Sequence, residues 1–301
     1  MRLRSTASAH PHLTAGATTG LKPRARDTKD FAQLAVEHGF LAETDIGRIE
    51  AHGHAAGQPF QQAAIDLGLL DPETVGIILA MQGGFPLLAA GDQRVDPLVV
   101  SAFDPADAYA AKVRTIRAKM RAAAKDSDGA ALRLAILSID AGDEAAILAA
   151  NLAVVMAQMD GQTMLVDVDI DRPSLDRLFR VANKAGLAEQ LLGSAALLPA
   201  ARTAVDGLWL MTAGRASGSA SSLVTKGPLA DTAAGWGLHD TSMLFYLAQR
   251  RGEQTPFGSI LAGFDAVTIV ARRGETAIAD MRRVIDDLDR HGVAIAGSVI
   301  A

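Results

Sequence analysis

Residues 132–169 read LRLAILSIDAGDEAAILAANLAVVMAQMDGQTMLVDVD, and this stretch decides the fold. Two short apolar runs, 132–139 and 164–169, have the length of buried strands. The segment between them, 144–160, is long and apolar enough for a buried helix. A strand, a helix and a second strand in this order are typical of a parallel sheet whose two faces are covered by helices.

The same alternation continues along the sequence. We interpret as strands the later apolar runs 208–212, 243–247, 265–271 and 293–300, with helical segments at 173–192 and 275–291. Residues 214–237 are rich in Gly and Ser and predict a long loop. Together with a helix at 106–124, these segments predict an α/β domain over 106–301, with a mostly parallel sheet flanked by helices.

An internal repeat precedes this domain. Residues 31–41 (FAQLAVEHGFL) match residues 60–70 (FQQAAIDLGLL) at an offset of 29 residues. Each copy predicts a short amphipathic helix, a Gly stop and a second helix, and one copy is too small to bury its own apolar face. We therefore predict a small all-helical domain at 30–86, joined to the α/β domain by a linker at 87–105.

The first residues of the sequence differ from the rest in charge. Residues 1–29 have no apolar periodicity and predict a flexible tail. Residues 1–30 carry a net charge of +4, although the whole sequence has a net charge of −5. We interpret the segment as a solvated tail, in preference to one that is attracted to anionic lipid or to an acidic partner.

The composition excludes several classes of function. Apolar residues are 49% of the sequence, enough for a sizeable core, and there is no Cys for a disulfide scaffold, a thiolate zinc site or a nucleophile. The net negative charge offers no basic field for nucleic acid. His52 and His54 have no third ligand nearby in sequence, so no metal site is predicted. No apolar stretch is long enough to span a bilayer, and we expect a cytoplasmic protein.

The turn after the first predicted strand is where a phosphate-binding loop belongs in such a fold. That loop needs glycines whose backbone N–H groups surround the phosphates, a Lys for the β- and γ-phosphates, and a Ser or Thr for Mg²⁺. Residues 140–146 (DAGDEAA) contain only Gly142 of this set. No Lys is present between Lys125 and Lys184, so no neighbouring cation replaces the missing one.

Residues from about 100 to 301 resemble the bacterial tyrosine autokinases of exopolysaccharide and capsule synthesis, within the MinD/ParA-like P-loop superfamily. The resemblance is carried by four stretches, 135–159, 163–193, 208–214 (LWLMTAG) and 264–300. Its most specific part is the block 167–193, because of the pattern VDVDIDRPSLDRLF at 166–179. It implies a kinase fold, ATP and Mg²⁺ as cofactors of active members, and a membrane chain-length determinant protein as the partner. It also implies that Asp167 and Asp169, with Arg172 beside them, occupy positions that serve metal binding and hydroxyl activation.

The departures from this family indicate loss of catalysis. The Gly-x-Gly-Lys-Ser/Thr motif corresponds to Gly142, Asp143, Glu144, Ala145 and Ala146, so the Lys and the Mg²⁺-binding hydroxyl have both become Ala. Two carboxylates then stand where phosphates would lie, and like charges about 4 Å apart repel by several kcal/mol at an effective dielectric of about 20. The family's third motif is an apolar strand that ends in Asp-x-Pro. The best candidate here, the predicted strand 243–248, contains no carboxylate. We therefore interpret Asp167 and Asp169 as residues that cap the next helix and orient the loop.

Two further sequence features of the family, which serve as phosphorylation substrate and in ring assembly, are incomplete in this sequence. Active members carry a tyrosine-rich tail after the last strand, whereas this sequence has two tyrosines, Tyr109 and Tyr246. The family's Glu-x-x-Arg-x-x-Arg helix, used for ring assembly, corresponds to Ala111, Arg114 and Arg117. The two arginines are thus candidates for homo-oligomerisation, without the Glu.

Residues 30–86 resemble a different module, the small helical domain at the start of type II secretion and type IV pilus assembly ATPases. This domain binds cyclic di-GMP in some members through an Arg-Leu-Gly signature. Here the equivalent positions are 31–33 (FAQ) and 60–62 (FQQ), so helix packing is the preferred interpretation of the repeat.

The main hypothesis is a tyrosine-kinase-like pseudoenzyme that needs no cofactor. It would regulate exopolysaccharide synthesis and export from the cytoplasmic side of the inner membrane, held there by the chain-length determinant. One alternative is an active autokinase that binds ATP and Mg²⁺ with a basic residue from elsewhere, such as Arg172 or Lys226. Another is a nucleotide-independent adaptor or cyclic di-GMP sensor that acts through residues 30–86.

Overall fold

The computed structural model describes residues 30–82, 87–124, 131–195, 197–215 and 219–301, so the predicted tail 1–29 lies outside the described residues. The helices are α1 (Phe31–Glu37), α2 (Glu43–Ala56), α3 (Phe60–Asp66), α4 (Pro72–Gln82), α5 (Ala108–Ala123), α6 (Asp143–Asp160), α7 (Leu175–Leu178), α8 (Leu187–Leu191), α9 (Ser219–Val224), α10 (Leu229–Ala234), α11 (Phe257–Ile260) and α12 (Ile278–Arg290). The strands are β1 (Arg133–Ile139), β2 (Thr163–Asp167), β3 (Ala200–Arg202), β4 (Leu208–Met211), β5 (Ser242–Gln249), β6 (Ala266–Ala271) and β7 (Ile295–Ile300).

The strands form one sheet of seven in the order β3-β4-β2-β5-β1-β6-β7. All neighbouring pairs are parallel except β3 with β4. The order places β5 between β1 and β2, so the carboxyl ends of these three strands lie side by side. The predicted fold class, a mostly parallel sheet flanked by helices, is confirmed.

Two apolar layers cover the two faces of the sheet. On one face, α5 and α6 pack with alternate residues of the strands, and α6 is buried along most of its length because apolar residues, chiefly Ala, occupy most of its positions. On the other face, α10, α11 and α12 pack on the remaining strand residues. Burial of this apolar surface stabilises the fold.

Three features of the α/β domain differ from the sequence-based prediction. Residues 173–192 are not one helix, because Arg180 adopts a left-handed φ of +49° after α7 and the chain becomes regular again only at α8. Residues 214–237 are not one long loop, since α9 and α10 lie within them. The antiparallel edge strand β3 is three residues long, too short to leave an alternation pattern in the sequence.

The helices α1 to α4 enclose a separate apolar core. The two copies of the repeat meet through Phe31 and Phe60, whose rings lie edge to face with centroids 6.0 Å apart. The first helix of each copy ends before a glycine with a left-handed φ, +73° at Gly39 and +66° at Gly68.

The segment that follows α4 is packed rather than extended between two bodies. Val95, Val99 and Ala102 belong to the core on the α5–α6 face of the sheet. The Asn151 side chain of α6 accepts from the backbone N–H of Ser101 and donates to the carbonyl of Leu98, both at 2.9 Å. These bonds hold the segment on α6.

Candidate functional site

A cavity of about 610 Å³ opens at the carboxyl edge of the sheet, where the ends of β1 and β5 meet the loop after β2. We call it the edge pocket. Its charged lining consists of the acids Asp140, Asp143, Asp169, Glu253 and Glu275 and of the arginines Arg172, Arg177, Arg250 and Arg251. The two signs are nearly balanced, so the edge pocket has no strong field for a polyanion.

The β1–α6 turn, residues 140–146, forms one wall of the edge pocket. Asp140 and Gly142 both have left-handed φ angles, +54° and +58°. Gly142 and Asp143 line the cavity. Ala145 and Ala146, which stand at the family's Lys and hydroxyl positions, are buried in the apolar core under the sheet. These two positions therefore present no polar group to the cavity.

The Glu144 carboxylate folds back over this turn. A methyl group added at Gly142 would come within 3.3 Å of Glu144 Oε2, and Arg272 Nη2 lies 3.6 Å from Glu144 Oε1. Asp143 and Glu144 are also the acidic residues in the first turn of α6, where the positive end of the helix dipole favours negative charge. The carboxylates are thus stabilised in the place where a helix of this fold binds phosphate.

Asp167, at the end of β2, is fully buried. Its Oδ2 accepts the backbone N–H groups of Ser174 at 3.1 Å and Leu175 at 3.2 Å, and its Oδ1 accepts that of Asp169 at 3.1 Å. Burial raises the pKa of this carboxyl to about 7, against the lowering effect of the three N–H donors. Asp167 therefore holds the start of α7 and the loop that precedes it.

Asp169 is paired with a cation of the chain itself. Arg250 Nη2 donates to Asp169 Oδ1 at 2.8 Å, and the backbone N–H of Arg172 donates to the same oxygen at 3.1 Å. Arg250 directly follows β5, the central strand on which the family's third acidic motif would end. Burial raises the pKa of the Asp169 carboxyl, and the Arg250 charge opposes this increase.

Sequence reasoning missed Arg250. The available signal was the end of the predicted strand 243–248, which runs into Gln249, Arg250 and Arg251 where an acid was expected. The pairing of Arg250 with Asp169 joins residues 81 positions apart, and only the strand order brings them together.

These residues do not fit a nucleotide with Mg²⁺. The turn supplies no Lys and no hydroxyl, Asp167 is enclosed by N–H donors, and Asp169 is held by Arg250. Within the part of the chain that the structure describes, no three acidic or His side chains are grouped so that they could hold a metal ion. Of the two basic residues considered for the active alternative, Arg172 lines the edge pocket, and Lys226 is not among its described lining residues.

The two candidate assembly arginines lie inside the chain, where α4, α5 and α6 meet. Arg117 Nε donates to Asp160 Oδ2 and Arg117 Nη1 donates to Glu73 Oε2, both at 2.9 Å, while Nη2 also pairs with Asp160. Arg121 Nη1 adds a bond of 3.0 Å to Asp160 Oδ1. We call Glu73, Arg117, Arg121 and Asp160 the arginine cluster.

Arg114 is buried one turn before the arginine cluster. Its Nη1 donates to the carbonyl of Pro105 at 2.6 Å and its Nη2 to Thr74 Oγ1 at 3.3 Å, and Nε has no partner. Burial lowers the pKa of this guanidinium from its usual value. Both arginines thus join the helical domain to the α/β domain of the same chain, and a role in a ring remains a prediction.

Several solved structures have a fold similar to that of this chain. The kinase domain of the Escherichia coli tyrosine kinase Etk is similar over 69% of this chain and 80% of its own, with a TM-score of 0.59 and 21% identity. The chimerical protein CapA2B2 is similar over 74% of this chain and 96% of its own, with a TM-score of 0.57 and 23% identity. The BceF tyrosine kinase domain is similar over 76% and 97%, with a TM-score of 0.56 and 23% identity. The chain therefore has the fold of bacterial tyrosine kinase domains, as the resemblance predicted.

No protein-family model matches the sequence, and no curated protein is significantly similar to it. Among the described residues, none of the helices combines the length and the apolar character needed to cross a bilayer.

Proposed function

We propose that this chain is a catalytically inactive protein with a tyrosine-kinase fold that regulates exopolysaccharide synthesis and export. The observation that carries the proposal is the pairing of Arg250 with Asp169, in a site whose Lys position is the buried Ala145. The Arg250 guanidinium thereby binds the Asp169 carboxylate, which a metal ion would otherwise need as a ligand. The partner would be an inner-membrane chain-length determinant protein, as the family resemblance implies.

The tyrosines support the same proposal. Tyr246 is buried in β5, and Tyr109 is partly buried at the start of α5, where loss of hydration raises the pKa of its hydroxyl. Neither presents a free hydroxyl in an exposed segment, as a phosphate acceptor requires.

Calorimetric titration with MgATP tests the loss of nucleotide binding. We expect no saturable heat up to about 1 mM nucleotide, because the position of the family's Lys is the buried Ala145 and the first turn of α6 carries two carboxylates. The control is Asp143→Asn with Glu144→Gln, which removes two negative charges and adds no positive one. It is expected to stay silent as well. Micromolar binding by the wild type contradicts the proposal, and binding by the control alone would mean that repulsion is the whole barrier.

The regulatory role is tested in a producing strain that lacks this protein. We expect wild-type protein and the Asp169→Asn variant to restore polymer length equally, because the proposed role needs no phosphotransfer. Copurification with the chain-length determinant is measured in the same strains. Restoration by the wild type alone would instead indicate an active site.

The second candidate is an active autokinase, and one observation favours it. Arg172, Arg177 and Arg251 line the edge pocket without a described carboxylate within ion-pair distance, so cations from other elements face the cavity. Incubation with labelled ATP and detection of phosphotyrosine separates the two functions. Incorporated label that is lost in a Tyr109→Phe variant would establish this candidate in place of the first.

A further inference from the structure

A second cavity, of about 570 Å³, lies in the helical domain between α1, α2 and the start of α3. We call it the α1–α3 groove. Its apolar base includes Phe31 and Phe60, the equivalent residues of the two repeat copies, together with Ile49. The volume is within the range of about 300–1,000 Å³ that is usual for ligand sites. The repeat therefore builds a concave surface in addition to a core.

The polar lining of the α1–α3 groove is acidic. Asp30 and Glu50 line it, and none of its described lining residues is Lys or Arg. Neither carboxylate forms an ion pair with any described residue. The Oε1 atom of Gln58, also in the lining, is buried without a hydrogen-bond partner. The groove thus offers acceptors and negative charge to a ligand that carries donors and positive charge.

We propose that the α1–α3 groove binds the basic segment 22–29 (KPRARDTK) of the same chain. This segment lies outside the described residues and ends immediately before Asp30, which is itself a lining residue. Eight residues can extend to about 26 Å, which is enough to cross the cavity. Lys22, Arg24, Arg26 and Lys29 supply the positive charge, and the covalent link keeps the segment at an effective concentration of the order of mM.

The same charges argue against a cyclic dinucleotide in the groove. Such a ligand brings two phosphates to a site with two carboxylates and no described cation. Like charges in one site repel, so we expect the basic segment to be preferred.

Disulfide trapping in the full chain tests the proposal, since the sequence contains no Cys of its own. The two variants are Arg24→Cys with Gln61→Cys and Arg24→Cys with Gln62→Cys. Gln61 lines the groove, whereas its neighbour Gln62 is exposed and donates to Asp66 outside it. Formation of the intrachain disulfide under a mild oxidant is followed by mass and by non-reducing gels. We expect the Gln61 pair to react about tenfold faster.

A charge reversal then identifies the cause. Glu50→Lys is expected to slow the Gln61 pair about threefold, and Glu43→Lys, at an exposed position that is not in the described lining, is expected to leave it unchanged. Far-ultraviolet circular dichroism verifies that all variants are folded. Equal rates for the two pairs, disulfides between two chains, or protection of the Gln61 pair by cyclic di-GMP would each overturn the proposal.

Discussion

The two ends of α6 hold charge in opposite ways. At its first turn, Asp143 and Glu144 face solvent, and Glu144 has one loose partner, Arg272 at 3.6 Å. About 27 Å away along the helix, Asp160 is almost fully buried and accepts bonds from Arg117 and Arg121. The comparison teaches that carboxylates at an exposed helix start need no strong partner in this fold. A cation that neutralises a buried carboxylate cannot be removed so easily.

The largest effect is expected at the buried end. Arg117→Leu leaves Asp160 and Glu73 without their main cation, and loss of one partner of a buried pair costs about 3–5 kcal/mol. Urea unfolding measures the change. Arg121→Ala, which removes a more exposed guanidinium, should cost less than about 1 kcal/mol. Equal losses in the two variants would show that the arginine cluster is not centred on Arg117.

The free energy of unfolding is expected to depend on pH through Asp167, because this carboxyl is also buried. Its folded pKa of about 7 is above the ordinary value of 3.8 for an Asp carboxyl, so the folded state holds this proton more tightly than the unfolded state. The resulting stability is complete below about pH 4 and is lost as the pH rises through about 7, a change of about 4 kcal/mol. The Asp167→Asn variant should lack this slope, although it starts from a lower stability because an amide oxygen replaces only one of two acceptors.

The measurement is the free energy of unfolding between pH 4 and pH 8 for wild type and variant. Asp206→Asn, at an exposed position, serves as the control and should retain the wild-type slope. Parallel curves for wild type and Asp167→Asn would mean that the buried carboxyl stays ionised across this range.

The effect of breaking the Asp169–Arg250 pair is expected to lie between those of the buried and exposed ends of α6, because both side chains are partly buried. Arg250→Gln is expected to cost about 1–2 kcal/mol, since Asp169 loses a charged donor and keeps the N–H of Arg172. A double-mutant cycle with Asp169→Asn measures the coupling by thermal unfolding. Additive effects would refute the pairing as the reason why Asp169 is unavailable to metal.

The smallest effect is expected at the exposed start of α6. Glu144→Ala removes a pair with Arg272 in which both side chains are about half exposed, and such pairs contribute less than about 1 kcal/mol. Chemical denaturation of this variant, with Arg272→Ala as its partner, should give near wild-type midpoints. A loss comparable to that of Arg117→Leu would remove the contrast between the two ends of α6.

Much of the architecture could be predicted from local patterns. The alternation of short apolar runs with helical segments predicted the parallel sheet, and the first predicted strand, 132–139, agrees closely with β1 at Arg133–Ile139. Elements without such a pattern were predicted incorrectly. The interruption of 173–192 depends on the left-handed Arg180, and α9 and α10 lie in a stretch whose Gly and Ser content indicated a loop.

The residues of the candidate site also fall into two groups, those that the sequence could identify and those that only the structure shows. The family resemblance identified the losses at Ala145 and Ala146 and the candidate carboxylates Asp167 and Asp169, because each stands at a position of a short family motif. Their partners could not. Arg250 reaches Asp169 because β5 is inserted between β1 and β2, and Arg117 reaches Glu73 because α4 packs on α5.

The sequence by itself determined which residues could form strands and helices and which chemical groups are missing from the turn before α6, since both depend on neighbours along the chain. The tertiary structure alone decided what the remaining charges do. A guanidinium or carboxylate acts over a few ångströms, and its strength depends on how completely its surroundings exclude water. Water is excluded only after helices and strands distant in sequence have packed together. Arg117, in such a buried place, therefore stabilises the fold, whereas the exposed Glu144 contributes little to stability.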